Sequence, residues 1–327
     1  MTLLTVNYIT NNYDYIQVAL ASMFEKTQSD MIVNVIINGP TDDLRLQNLA
    51  TEFPQANIIQ NDEMLGFVAN HNRAMETCTT PYIALLNDDI RFENDALSIL
   101  TQYLEQREHV GVVGPQLLND DGTLQVSSYS DPTVWRMAYK ISGLAKLTRQ
   151  DGWLRPILLK LGVGKVFKTD SLQTNHNTRE VDIIKGAFMV TRRPAYEQAG
   201  MMDDVLTILY GEEIEWHYRM RLHGWVNVLV PQAIVTHFGK GQMSLSMTGK
   251  RLFADRNAIL NWFLKHGTPQ EAKRIRQIII VSHSIYATFW SAFDQEKSKT
   301  HREIVDMAKQ FNREPYTVQT SNSATTS

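Results

Sequence analysis

The chain carries one cysteine, Cys78, among 327 residues. A single thiol excludes an intrachain disulfide framework and fits a reducing compartment. An excess of one charge sign is lacking as well. The formal net charge is −3, which gives no electrostatic reason to expect a nucleic-acid partner. Long hydrophobic runs are also missing. The longest, "IIIVSHSIYATFWSAF" (278–293), is shorter than the ~20 residues of a membrane span, and Ser282, His283 and Ser284 interrupt it. The opening "MTLLTVNYI" has no basic start, so no leader peptide is expected. What is present is 43% hydrophobic and 20% charged, the composition of a globular protein with a sizeable core. A cytoplasmic location is expected, with the option of a peripheral position on the inner face of the cell membrane.

The first 120 residues alternate strand-like and helix-like stretches. "LLTVNY" (3–8), "MIVNVIING" (31–39), "NIIQND" (57–62), "YIALLND" (82–88) and "VGVVGPQLL" (110–118) read as strands. Between them, 14–27, 41–53, 66–78 and 94–106 carry apolar residues at helical spacing, with Asp14 as a plausible cap of the first. This order predicts an α/β protein with a Rossmann-like, mostly parallel sheet flanked by helices. Residues 133–168 differ: they hold eight Lys/Arg, one Asp, Trp135 and Trp153. Basic side chains mixed with Trp and Leu suggest amphipathic helices on an anionic membrane surface; a surface excursion with snorkelling lysines is the plainer alternative. Strands are expected at 181–193, 226–231 and 233–238, and helices at 212–224, 251–267 and 273–293. The last of these could also bury itself in a homodimer. The tail "QTSNSATTS" reads as disordered. The expected organisation is a domain over 1–250 with a basic insertion at about 133–168, a helical extension over 251–310, and a tail over 311–327.

Three places carry candidate chemistry. "LLNDD" ends the strand at 82–88, and ligands of parallel sheets bind beyond the carboxyl ends of strands. Alone, Asn87-Asp88-Asp89 reads as a turn. An acidic pair there also suits Mg²⁺ or Mn²⁺, which one or two carboxylates hold while phosphates complete the shell. "YGEEIEWHYRMRLHGW" (210–225) starts a helix with Glu212 and Glu213, either of which could serve as a base; Glu215 and Arg219 at i,i+4 could simply support the helix. His237 follows "AIVT" and is structural or ligating.

Together these stretches resemble a known family. "TVNYIT", "LGFVANHNRAM" (65–75), "LLNDDIRF", "VGVVGPQLLNDDGTLQ" (110–125), "IKGAFMVTRRPAYEQAGMMDD" (184–204), "YGEEIEWHYRMRLHGW", "VTHFGKGQMS" (235–244) and "DRNAILNWFLKHG" (255–267) occur in the order found in glycosyltransferase family two. The fold of that family is GT-A, and the pattern is most similar to its bacterial rhamnosyltransferase-like members. The resemblance implies metal-dependent, inverting transfer of a sugar from a nucleotide-diphosphate sugar, dTDP-rhamnose among the candidates. The acceptor would be a hydroxyl of a glycan or lipid-linked glycan in cell-surface polysaccharide synthesis. It assigns Asp89 and His237 to the metal, Glu213 to the general base with Glu212 as alternate, and Tyr8, Asn38, Asp42, Gly66, Asn72 and Asp88 to the donor. Gly186, Trp216 and Arg219 fall on the acceptor side, with Trp216 also readable as packing.

Two positions depart from the family pattern. Glu213 stands where the family usually has Asp. Ile37 stands where an Asp helps hold the nucleobase, and isoleucine cannot accept a hydrogen bond. These departures keep open a protein that binds sugar nucleotides with little catalysis. A nucleotidyltransferase is the other alternative, although "NYITNNYDY" lacks the Gly-rich phosphate loop expected of one.

Overall fold

The computed structural model describes residues 4–27, 29–144, 177–203, 212–239 and 248–311, which fall into two compact units. One unit holds the described residues up to Asp131 with 177–203 and 212–239; the other holds 132–144 and 248–311. Most of the basic stretch at 133–168, including Trp153, and the polar tail lie outside the described residues.

In the first unit, β1 (Leu4–Thr10) is followed by α1 (Tyr13–Lys26), β2 (Met31–Ile37), the one-turn helices α2 (Leu44–Gln47) and α3 (Leu49–Glu52), and β3 (Ala56–Gln60). Then come α4 (Phe67–Thr77), β4 (Tyr82–Asn87), β5 (Ile90–Phe92), α5 (Ala96–Glu105), β6 (Val110–Leu118) and β7 (Ser128–Tyr129). Helix α6 (Val134–Ile141) belongs to the second unit. The first unit resumes with β8 (Arg179–Val181), β9 (Ile183–Ile184), β10 (Phe188–Arg192), α7 (Arg193–Ala199), α8 (Glu212–Leu222) and β11 (Val226–His237).

The main sheet has the order β3-β2-β1-β4-β10-β6-β11-β5, with β8 also on β11; β7 and β9 pair separately. Strands β1, β2, β3, β4, β6 and β11 run one way, and β5, β8 and β10 run against them. The α/β class and mostly parallel sheet expected from the sequence are those observed. The central strands are buried on both faces, as covered parallel strands must be: Val6, Tyr8, Ile83, Ala84, Leu85 and Leu86 have no exposed surface. Direction also positions the site. The carboxyl ends of β1, β4, β6 and β11 share one edge, and the antiparallel β10 brings its preceding loop to the same edge.

Local chemistry accounts for several differences from expectation. The cap of α1 is Asn12, whose side chain accepts from the Tyr15 N–H at 3.2 Å; Asp14 lies in the first turn, where its charge favours the helix. The stretch 41–53 forms two short helices with Asp43 capping the first, its side chain accepting from Arg45 N–H. The expected strand 181–193 is three short ones, interrupted around Gly186. The strands expected at 226–231 and 233–238 are one, because the register shift between Val230 and Ile234 absorbs the Pro231-Gln232 interruption as a bulge.

The second unit contains α6, α9 (Thr248–His266), α10 (Pro269–Trp290) and α11 (Gln295–Gln310). Ile141, Leu260, Phe263, Ile275, Ile279, Ile304 and Ala308 form its buried core. A reciprocal capping box between Thr268 and Glu271 starts α10. Val281, Ile285 and Phe289 are exposed on α10, and Trp135 on α6. Among the described residues, no helix is long and apolar enough to cross a membrane.

Candidate active site

Residues at the carboxyl edge of the first unit's sheet meet around Asp89. The turn after β4 places Asp88 and Asp89 beyond the strand end, and β11 closes against β5 with His237 opposite Ile90. Asp89 and His237 are both buried, and His237 Nε2 lies 3.4 Å from Asp89 Oδ1. Burial pushes the Asp89 carboxyl up, but His237, Asn87 and the local backbone outweigh it and hold it below the usual carboxylate range. Asp88 accepts from Thr10 Oγ1 at 2.6 Å, which ties the turn after β4 to the end of β1. Enclosure pushes the Asp88 carboxyl up to about 7, the Thr10 bond opposing and the Asp89 charge adding to it.

Glu213, in the first turn of α8, lies against the loop before β10. A Cβ placed on Gly186 would stand 3.5 Å from the Glu213 carboxyl carbon, an ordinary van der Waals distance, so the Glu213 carboxyl lies directly over this loop. Burial and the Glu212 charge raise the Glu213 carboxyl to about 7, against stabilising contributions from the Gly186 N–H and Lys185. Such a value suits a base working near neutral pH. Glu212 is buried beside it.

Two residues quoted in the motifs but given no role belong to this edge. Lys185 Nζ donates to Gln125 Oε1 at 2.6 Å, and its charge interacts with both Asp89 and Glu213. Burial draws the Lys185 ammonium below the ordinary lysine value, partly offset by those two carboxylates. Gln125 Oε1 is also 2.7 Å from His237 Nδ1. No local motif marks either residue: a lysine before a glycine and a glutamine after a hairpin are common, and only β10's reversed direction joins them. Gln125 also lines a polar cleft of about 210 Å³ with Ser127, Tyr129, Arg179 and Asp182, which none of Asp89, His237 and Glu213 borders.

Other expected site residues are placed differently. Tyr8 lies inside the core with its hydroxyl on Met23 Sδ, so it offers a donor no surface. Trp216 is wholly buried, its Nε1–H donating to the Gly200 carbonyl; it packs and does not line an acceptor cleft. Arg219 is spent on Glu215, at 2.9 and 2.7 Å, and on the carbonyls of Ala199 and Met201. The Asn72 amide brackets Met202, donating to its carbonyl and accepting from its N–H. Asn38 holds both the N–H and the carbonyl of Leu65 with its amide. Gly66 caps α4 without a side-chain bond, and Asp42 is exposed. Ile37 is buried in the core. His71 is buried and meets the Asn7 amide at 3.3 Å; burial lowers its pKa to about 3, which keeps the ring neutral.

The donor set fits a hard divalent cation. Asp89 Oδ1 and His237 Nε2 converge on one point, a carboxylate and an imidazole. Among the described residues no cluster of three or more His, Cys, Asp or Glu forms. Two protein ligands are what a Mg²⁺-type site presents when waters and substrate phosphates complete the shell.

A sheet loaded in this way at one edge defines the chain as an α/β transferase with the GT-A fold. Residues 6–174 match the family described as glycosyl transferase family 2, and the chain belongs to that family of glycosyltransferases. Two sequences from Mycobacterium tuberculosis, strains CDC 1551 / Oshkosh and ATCC 25618 / H37Rv, are similar to it. Both carry the name N-acetylglucosaminyl-diphospho-decaprenol L-rhamnosyltransferase and are 22% identical over 229 residues, 67% of this chain and 70% of theirs. The solved structure of GalNAc-T7 with UDP, GalNAc and Mn²⁺ shares the fold, with a TM-score of 0.54 at 13% identity over 85% of this chain. The match spans 54% of that structure's chain.

Proposed function

We propose that the protein transfers a sugar from a nucleotide-diphosphate sugar to a hydroxyl of a lipid-linked glycan, with inversion at the anomeric carbon. The observation that carries this reading is the meeting of Asp89 with His237 at 3.4 Å beyond the end of β4, on the sheet edge where the Glu213 carboxyl lies over the Gly186 loop. Asp89 and His237 would hold Mg²⁺ or Mn²⁺, which when bound supplies Lewis-acid stabilisation of the departing diphosphate. Glu213 accepts the acceptor hydroxyl's proton as that oxygen attacks. Its glutamate stands in for the family's aspartate, with its carboxyl over the Gly186 loop. Asp88, held by Thr10, faces the donor's ribose and phosphate. With Ile37 in the core and the Asn38 amide committed to Leu65, nucleobase recognition falls to exposed Asp42 and backbone groups.

Rhamnose from dTDP-rhamnose is the first donor to test, because the similar curated sequences are named as L-rhamnosyltransferases. The acceptor in their name is N-acetylglucosaminyl-diphospho-decaprenol, which supports a lipid-linked acceptor and a peripheral position at a membrane. The second unit adds support. From Ala272 to Phe293 the chain has three basic residues and no acidic one, and Val281, Ile285 and Phe289 lie exposed along α10, a composition suited to an anionic lipid surface. A second copy of the chain covering that face would instead appear as a dimer in solution.

The test is turnover. Purified protein with Mg²⁺ or Mn²⁺ is expected to consume one of a panel of nucleotide sugars in the presence of a lipid-linked acceptor, and product NMR is expected to give the inverted anomer. Saturable binding of a nucleotide sugar without transfer to any acceptor would overturn the catalytic reading.

A further inference from the structure

We propose that Gln125 and Lys185 are positioning residues for His237: together they hold its imidazole as the Nδ1–H tautomer and leave the Nε2 lone pair turned to Asp89. The proposal rests on the reading of Asp89 and His237 as a shared cation site.

The argument follows donors and acceptors around one amide. Gln125 Nε2 lies 3.0 Å from the His237 carbonyl oxygen and 2.9 Å from Asn119 Oδ1. The Asn119 amide is itself oriented, since its Nδ2 donates to Thr123 Oγ1 at 2.9 Å and toward the Leu124 carbonyl at 3.4 Å. Two acceptors therefore fix the NH₂ end of Gln125. At the other end, Lys185 Nζ stands 2.6 Å from Oε1, and an ammonium can only donate. The Gln125 amide thus cannot flip without facing NH₂ to an ammonium and its oxygen to two oxygens.

With Oε1 fixed as an acceptor, the 2.7 Å contact to His237 Nδ1 has one sense: the ring nitrogen donates. The 3.5 Å separation of Lys185 Nζ from His237 Nδ1 is then the spacing of two donors around a common acceptor. A neutral imidazole with its proton on Nδ1 carries the lone pair on Nε2. That atom faces Asp89 Oδ1 at 3.4 Å, a long contact that helps hold the Asp89 carboxyl below its ordinary range while no cation is bound and that a bound cation would replace. Two acceptors converging on one point are stabilised by a cation between them. Metal-binding histidines commonly donate their second ring N–H to an oxygen, which sets tautomer and orientation. Here the oxygen is an amide, and the neighbouring ammonium prevents that amide from rotating.

The experiment reads the ring directly, in metal-free protein labelled with ¹⁵N-histidine at pH 8, with the His237 signals identified by their loss in His237→Gln. Wild type is expected to show a protonated Nδ1 and an unprotonated Nε2. Gln125→Leu is expected to lose that preference and to bind Mn²⁺ about 10- to 100-fold more weakly by EPR titration. Gln125→Glu, which keeps the acceptor, is expected to retain the tautomer and bind Mn²⁺ to within about threefold of wild type. Lys185→Met is expected to give a mixed tautomer population. Circular dichroism controls for folding, and if Gln125→Leu does not fold, the wild-type tautomer with Lys185→Met and Gln125→Glu decides. An Nε2–H or doubly protonated His237 in wild type, or an unchanged tautomer in Gln125→Leu, would overturn the proposal. The expected tautomers without Mn²⁺ binding by wild type would reject the cation site and leave the positioning role standing.

Discussion

Two buried acid–base pairs in the first unit have opposite characters. Glu215 accepts two hydrogen bonds from Arg219, whose remaining donors reach the carbonyls of Ala199 and Met201. That pair satisfies itself and leaves nothing for a ligand. Asp89 and His237 are just as removed from water, yet they face each other at 3.4 Å, and the histidine's other nitrogen is already committed to Gln125. A buried charge is costly unless its partners are complete. Completion inside the chain marks a structural pair, whereas a single long contact at 3.4 Å between two ligand-type groups leaves a place for something from solution. Both pairs lie beside sequence motifs of equal strength, so motif membership alone does not separate them.

Mutation can break this contrast from either side. The largest effect is expected from Asp89→Asn, which keeps the shape and removes the charge: at least about a 10³-fold loss of metal-dependent transfer, measured as kcat/KM, with the melting temperature maintained. Full activity in this variant would reject the site. Glu213→Gln is expected to lower kcat/KM by about 10²- to 10⁴-fold. In wild type the rate should fall tenfold per pH unit below about 7, where Glu213 takes up its proton; this limb should vanish in the variant. The same raised carboxyl predicts a stability trend. Its ionised form is disfavoured in the fold, so its contribution is fully present below the ordinary carboxyl pKa and is lost as pH rises through about 7. Urea titrations of metal-free wild type and Glu213→Gln at pH 5 and 8 would isolate that difference.

Arg219→Ala tests the other pair. It strands Glu215 in the interior and is expected to cost about 3–5 kcal/mol of stability, while activity per folded molecule stays within about twofold of wild type. A selective loss of kcat without loss of stability would move Arg219 into the catalytic group. The smallest effect is expected from Asn72→Ala. It removes both bonds to Met202 and should cost about 1–3 kcal/mol in chemical denaturation, with KM for the donor unchanged.

The sequence was most legible where one rule acted alone. Strand β6 occupies 110–118 as read, because a continuous apolar run between turn residues admits little else. The chain was less legible where interruptions had two outcomes. The stretch 226–238 read as two strands and is one, with a bulge at Pro231-Gln232, whereas 181–193 read as one strand and is split around Gly186. Helix α11 was not separated from the extension because "QEKSKTHREIVDMAKQ" shows few apolar residues, buried on one stripe. At the site, motif order pointed to Asp88, Asp89, Glu213 and His237, and the fold brings Asp89 against His237. Tyr8 could not be excluded from the donor group, since its burial depends on a central strand covered on both sides. Lys185 and Gln125 could not be given roles, because their relation to His237 exists only across strands far apart in sequence.

The ladder between β4 and β10 also acts as a ruler. Leu86 pairs with Phe188, and the Asn87 N–H bonds the Ala187 carbonyl at 3.0 Å, immediately next to Asp88 on one side and Gly186 on the other. The spacing between the Asp89 turn and the loop that receives Glu213 is therefore counted in whole residues. A slip by one residue turns every side chain to the opposite face, and a slip by two moves the loop about 6.8 Å. Such a ruler has no fine adjustment. Adaptation to acceptors of different bulk would therefore come from side-chain length at position 213, where glutamate already stands in place of aspartate.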